Sequence, residues 1–188
     1  ENTAVGYLAL SGNTTAADNT AVGSQALLVN TTGTANVGLG YYALNQNTTA
    51  SNNTAVGMFA LRLNTTGTQN VAVGTAAMTA NTTAVNSVAV GYNSLLSNLT
   101  GDSNTAVGTS ALKTTTGAEN TGIGAAALEL NSSGVNNVAL GYAALYANTT
   151  ASNNTAVGKS ALSANTTGTQ NVAVGANALD ANTTTSDS

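Results

Sequence analysis

The pentad Asn-Thr-Ala-Val-Gly begins at Asn2, Asn19, Asn53, Asn104 and Asn154. Close variants begin at Asn36, Asn70, Ser87, Asn120, Asn137 and Asn171. These eleven copies follow one another every seventeen residues, except that Asn104 and Asn120 are sixteen apart. A chain that returns to the same residue types at a fixed short interval builds one small unit many times. A unit of this length cannot bury a face alone, so it must stack on its neighbours. The eleven residues NTTGTQNVAVG occur at Asn64–Gly74 and again at Asn165–Gly175, six periods less one deleted residue apart. A block of six units reads as duplicated, which lengthens a stack without a new fold.

Each unit has fixed and free columns. Glycine is invariant at Gly6, Gly23, Gly40, Gly57, Gly74, Gly91, Gly108, Gly124, Gly141, Gly158 and Gly175. The residue before it is always Val, Leu or Ile, and the one before that is always Ala or Gly. Leu10 and its equivalents form a second large apolar column, preceded by a column of Ala broken only at Ser94. An Asn-Thr-Thr-Gly/Ala segment and two variable residues complete the unit. Thr, Val, Asn and Gly are weak helix formers, and seventeen is not a whole number of helical turns. The TAVG or VAVG stretch reads as a short strand of period two, ended by a glycine in a conformation that side chains disfavour. NTTG is turn chemistry. The expected fold is all-β: a parallel β-solenoid, or β-roll, of eleven coils over residues 1–188 as one domain. With rungs about 4.8 Å apart, eleven coils make a rod on the order of 50 Å long.

Matching residues then stand above one another. The Val5 and Leu10 columns are expected to meet inside, with the Thr3 column also inward and Ala4 on the opposite side. Strict smallness at Ala4 implies close approach, by another wall of the coil or by a neighbouring chain. Asn2, Asn19, Asn36, Asn53, Asn70, Asn104, Asn120, Asn137, Asn154 and Asn171 are expected to form an internal amide ladder, as stacked amides do in cross-β arrays. The apolar columns argue against a disordered low-complexity chain, which needs no register.

Only 5% of the residues are charged, against about 25% in ordinary domains, and the net charge is −4. That balance excludes nucleic acid as an expected partner. No apolar run is long enough to span a bilayer. The chain has no His or Cys, so it has no thiolate metal site and no imidazole for acid–base work. Its acids Glu1, Asp18, Asp102, Glu119 and Asp187 lie in the variable loop positions, far apart along a stack, and Glu129 and Asp180 lie elsewhere. No carboxylate pair, calcium nonapeptide or basic patch is formed. The reading is of a non-enzyme with no metal and no cofactor.

One motif looks like a modification site. The Asn-x-Thr/Ser sequon occurs in register at Asn13, Asn30, Asn47, Asn64, Asn81, Asn98, Asn131, Asn148, Asn165 and Asn182, with Asn52 and Asn153 in addition. These are candidate glycosylation sites, with sugar on the Asn or on the adjacent Thr residues, against the plainer reading that NTT is turn chemistry. Tyr7, Tyr41, Tyr92 and Tyr142 share an outward column that could meet carbohydrate or a cell-surface receptor.

The NTAVG and NVAVG units resemble the head repeats of trimeric autotransporter adhesins. They are more similar to the seventeen-residue NTAVGxxALxxNTTG arrays of bacterial and phage tail-fibre-like proteins. The first resemblance implies a left-handed roll associated side by side as a trimer. This unit is three residues longer than the adhesin unit. The functional expectation is an extracellular structural fibre, filament or adhesin shaft at a cell surface or on a virion. Its partner would be itself, as a lateral trimer or an end-to-end filament, and the repeat is expected to continue in a longer fibre. The alternative is an ice-binding solenoid using the Thr ladder of Thr14, Thr31, Thr48, Thr65 and Thr82.

Overall fold

The computed structural model describes residues 1–188. Eleven strands of three residues, from β1 (Thr3–Val5) and β2 (Thr20–Val22) to β11 (Val172–Val174), form one parallel sheet in strict chain order. Like pairs with like: Thr3 opposes Thr20 and Val5 opposes Val22, while Val56, Val73 and Val90 stand in one file. The chain is a parallel β-solenoid without helices.

The sheet is only part of the coil-to-coil ladder. Of 121 backbone hydrogen bonds, 20 lie within strands and 101 outside them. The turns therefore hold successive coils together as the strands do. Gln25 N–H donates to Tyr7 O at 2.8 Å, Leu10 N–H to Ala26 O at 3.0 Å and Gly12 N–H to Leu28 O at 2.8 Å. Backbone groups throughout the coil find partners one coil away, which satisfies the requirement that buried peptide groups be paired.

Turning a chain this tightly needs unusual backbone. Gly6 and its equivalents have φ between 125° and 137°. A Cβ on Gly57 would lie 2.5 Å from the carbonyl oxygen of Gly74. Both facts make glycine obligatory at this corner. The next corner is made by side-chain-bearing residues. The carbonyls of Gly6, Leu8 and Leu10 accept from the N–H groups of Ala9, Ser11 and Asn13, three residues on. Within those turns Leu8 and Leu10 take φ of 54° and 55°, and Asp18 takes 62° near the coil's end. The same three positions are left-handed in every coil. Such residues cost of order 1–3 kcal/mol each where the surroundings do not enforce them. Here the bonds to neighbouring coils and the burial of the leucines enforce them.

The interior corrects one sequence expectation. The Leu10 column points inward: Leu27, Leu44, Leu61 and their successors to Leu162, with Met78 among them, are fully buried. The Val5 column does not join it. Val5 is 58% exposed, Leu39 42% and Val174 71%. The Thr3 column also faces outward, partly covered or exposed. The inward strand residue is the small one: Ala21, Ala55, Ala72, Ala89 and Ala106 are fully buried. The reason is width. A Cβ added to Gly38 would stand 3.3 Å from Leu27 Cγ and 3.4 Å from the Ala43 carbonyl oxygen, so one methyl fills the space to the opposite wall. The close neighbour of the Ala4 column is that wall of the coil. The core is a slender stack of 26 residues, all Ala, Leu or Met.

Two substitutions at adjacent residues test this orientation. Ala72→Val should destabilise by about 1–3 kcal/mol through overpacking. Val73→Thr should change stability by less than about 0.5 kcal/mol, as surface changes do. Guanidinium denaturation followed by circular dichroism measures both. The opposite ranking would place Val73 inside.

Candidate functional surfaces

The columns sort into three kinds: fixed and inward, fixed and outward, free and outward. The first kind includes two asparagine ladders. In the expected one, the Oδ1 of Asn2 accepts the backbone N–H of Asn19 at 2.9 Å, and Asn19 Oδ1 accepts that of Asn36 at 2.9 Å. The amide nitrogen donates across the coil: Asn36 Nδ2 to Ala50 O at 2.8 Å and Asn53 Nδ2 to Gly67 O at 2.9 Å. Ser87 replaces Asn in this column, and its hydroxyl oxygen accepts from Asn104 N–H at 3.1 Å.

The second ladder is built from the sequon asparagines. Asn30, Asn47, Asn64, Asn81, Asn98, Asn131, Asn148 and Asn165 are fully buried. Asn47 Nδ2 donates to Asn30 Oδ1 at 2.8 Å and to Ala50 O at 2.9 Å, and Asn64 Nδ2 repeats the pattern with Asn47 Oδ1 and Gly67 O, each at 2.9 Å. A folded coil therefore has no room for a glycan at any of these eight positions, because the nitrogen that would carry it is buried and engaged. Asn13 and Asn182, in the end coils, are partly covered, and only Asn52 and Asn153 among the sequon asparagines are exposed. NTT is turn chemistry here, and its asparagine is a core residue. The sequence left both readings open because a sequon and a stacked-amide turn use the same letters.

The sixteen-residue coil shows what the ladder requires. Thr115 takes the asparagine position there, accepting from Asn131 Nδ2 at 3.1 Å and from Gly117 N–H at 3.1 Å. Asn104 Nδ2 still reaches Gly117 O at 2.8 Å. The lost residue is the outward one between Thr116 and Gly117. β7 (Thr105–Val107), β8 (Thr121–Ile123) and β9 (Val138–Leu140) keep perfect register across it.

Among outward columns, those of Tyr7, Leu8, Ser11 and Asp18 vary freely. The Tyr7 column reads Tyr, Ser, Tyr, Met, Thr, Tyr, Thr, Ala, Tyr, Lys, Ala. Tyr41 of this column clusters with Tyr42 and Phe59 of the Leu8 column, with ring centroids 4.4–6.0 Å apart. The Arg62 guanidinium stands 5.4 Å from the Phe59 ring centroid. Hydrogen bonding with Tyr42, partial desolvation and the Tyr42 charge raise the Tyr41 hydroxyl's pKa above its usual value, while Arg62 acts to lower it. The loop acids are dispersed: no three come together. Asp102 Oδ1 caps the N–H of Val85 at 2.9 Å, and Lys113 pairs with Glu129 at 3.5 Å. The surface has no cavity.

Two sets of outward columns vary little. On the sheet face, the Val5 column is Val, Leu or Ile in all eleven coils and the Thr3 column is always Thr or Val. No charge falls on either. At the NTT corner, the Thr14 column uses its hydroxyls internally. Thr14 Oγ1 donates to Thr31 O at 2.9 Å, Thr31 to Thr48 O at 3.0 Å and Thr65 to Thr82 O at 3.0 Å. Comparison of the chain with protein-family models, curated proteins and solved structures finds no match.

Removing one rung of the amide ladder tests its structural role. Asn64→Ala strips Asn47 Oδ1 of its donor and removes the Oδ1 that accepts from Asn81 Nδ2, while Gly67 O keeps its bond from Asn53 Nδ2; an orphaned buried group costs about 1–3 kcal/mol. The denaturation midpoint should fall markedly, whereas Asn64→Thr, which imitates Thr115, should recover part of the loss.

Proposed function

We propose that the chain is a structural shaft of an extracellular fibre or adhesin, and that its sheet face packs laterally against further copies of the same chain. The observation behind this reading is the restricted character of an outward surface. Residues that meet only water drift, as the Asp18 column has, exposed in every coil and occupied by Asp, Ala, Asn, Gln, Ser or Glu. The Val5 column is outward too, exposed or half-buried in every coil, yet it holds to aliphatic residues through all eleven. Contiguous exposed apolar surface of this kind marks an interaction site.

A second copy is the occupant that fits. The face repeats with the rung spacing along the whole rod, so a partner matches it throughout only by carrying the same repeat. Eleven rungs at about 4.8 Å, each about 10 Å wide, present roughly 500 Å² per chain, so a pair buries about 1,000 Å², where specific interfaces begin. The resemblance to adhesin heads and fibre arrays supports a side-by-side trimer and a place outside the cell. The variable Tyr7 column is then the surface left for carbohydrate or receptor contact.

One observation favours a second reading. The outward Thr3 column holds Thr in six coils and Val in five, so the sheet face carries paired rows of β-branched side chains. An ice-binding role would use this face. The Thr14 ladder serves it poorly, because those hydroxyls already bond to the next coil.

Sedimentation of the wild-type chain and of a Val73→Asp, Val90→Asp double variant separates the two. A shaft is an oligomer at micromolar concentration, and the double variant is a folded monomer with an unchanged β spectrum. A wild-type monomer that inhibits ice recrystallisation establishes the second reading instead.

A further inference from the structure

The corner column left over after these assignments is that of Thr15. Its members are Thr15, Thr32, Thr49, Thr66, Thr83, Thr100 and four equivalents, one in every coil except the shortened one. All ten carry a hydroxyl, Ser133 being the single serine, and all ten are exposed. None of these hydroxyls bonds within the chain, in contrast to their neighbours in the Thr14 column.

The two adjacent columns make the point by comparison. The Thr14 column has an intrachain task, yet it admits Leu99, whose backbone carbonyl still accepts from Thr82 at 3.1 Å. The Thr15 column has no intrachain task, and it never departs from a hydroxyl. β-Branching is not what is retained, since Ser133 lacks the branch and Val never occurs. A hydroxyl kept on the outside, where neighbouring outward columns drift, is kept for something outside.

We infer that the Thr15 column is a row of O-glycosylation sites, so that in each Asn-x-Thr/Ser triplet the outer hydroxyl, and not the buried asparagine, carries the sugar. The surface around the column supports covalent attachment over reversible binding. A small-molecule or cofactor site is a cleft that buries most of its ligand, and no such cleft opens at this column. A transferase needs only an accessible acceptor, and the flanking Ala16, Gly33, Ala50 and Gly67 leave each one open on that side. Charge selects a neutral group. Phosphate on successive rungs would stack about two negative charges every 4.8 Å or so, on a chain already at −4.

The transfer balances without redox chemistry. The Thr Oγ forms a bond to the anomeric carbon of a nucleoside-diphosphate-activated sugar. The bond from that carbon to the diphosphate oxygen breaks, and the nucleoside diphosphate leaves with the electron pair. The hydroxyl proton passes to a base of the transferase.

The test is the mass of the chain isolated from its native source, with fragmentation that preserves O-links. The peptides that carry these repeats are expected to exceed their sequence masses by whole numbers of glycosyl residues. The excess should resist peptide N-glycosidase, be lost on alkaline β-elimination, and map to Thr32, Thr66 and their equivalents. Expressed in the same source, Thr32→Val should lose the increment at that position, Thr66→Ser should keep it, and Thr31→Val should lose none, all with unchanged circular dichroism. A mass equal to the sequence mass overturns the inference, as does sugar confined to the Asn30 or Thr31 columns.

Discussion

The structure depends on one constraint: the hydrogen-bonding partner of a coil is the next coil. In most domains a loop can be satisfied by water or by its own side chains. Here strand, leucine turn and NTT corner all bond to their counterparts one coil along. The two buried amide columns extend that rule to side chains: the Asn2 column's oxygens accept from the following coil throughout, and Asn30, Asn47, Asn64, Asn131 and Asn148 do so in the other column. Position, register and residue identity are thereby locked together. A change in one coil is felt by two neighbours and by few others, which is the quasi-one-dimensional energetics of repeat proteins.

Much of this was legible in the sequence because the repeat reports register directly. The invariant Gly6 column, the Leu10 column and the Asn2 ladder each occupy the place their chemistry predicts. The strand face did not follow. Hydrophobicity sends Val inward and leaves Ala outside, but the coil is too narrow for that arrangement. The clue was present as the strict smallness of the Ala4 column beside the tolerance of the Val5 column for Leu and Ile. Small residues mark tight space, and tight space lies inside. The asparagine of the NTT segment was misleading for a different reason. A sequon describes what a transferase accepts in an extended segment, and it carries no information on whether the folded coil buries the amide.

Orientation also decides where function can reside. Of the nineteen exposed large hydrophobic side chains, eight belong to the two strand columns that share one face and five to the Tyr7 column beside them. The variable columns carry the charges, the Tyr41–Tyr42–Phe59 cluster and the polar residues that keep the remaining surface soluble. The left-handed leucines fit the same division of labour. In the column from Leu10 to Leu162 their backbone strain is tolerated because each is buried and bonded to the neighbouring coil.

The sixteen-residue coil has a consequence for how such rods change over time. The first amide ladder keeps its bonds there, Thr115 still accepts from Asn131 in the second, and the strands on either side stay in register. Chain length at the outer NTT corner is thus uncoupled from the lattice behind it. If that corner can shed a residue without disturbing the next rung, it is also the natural point for grafting a foreign loop, and repeated grafts would hang cargo along one edge at intervals chosen by the designer.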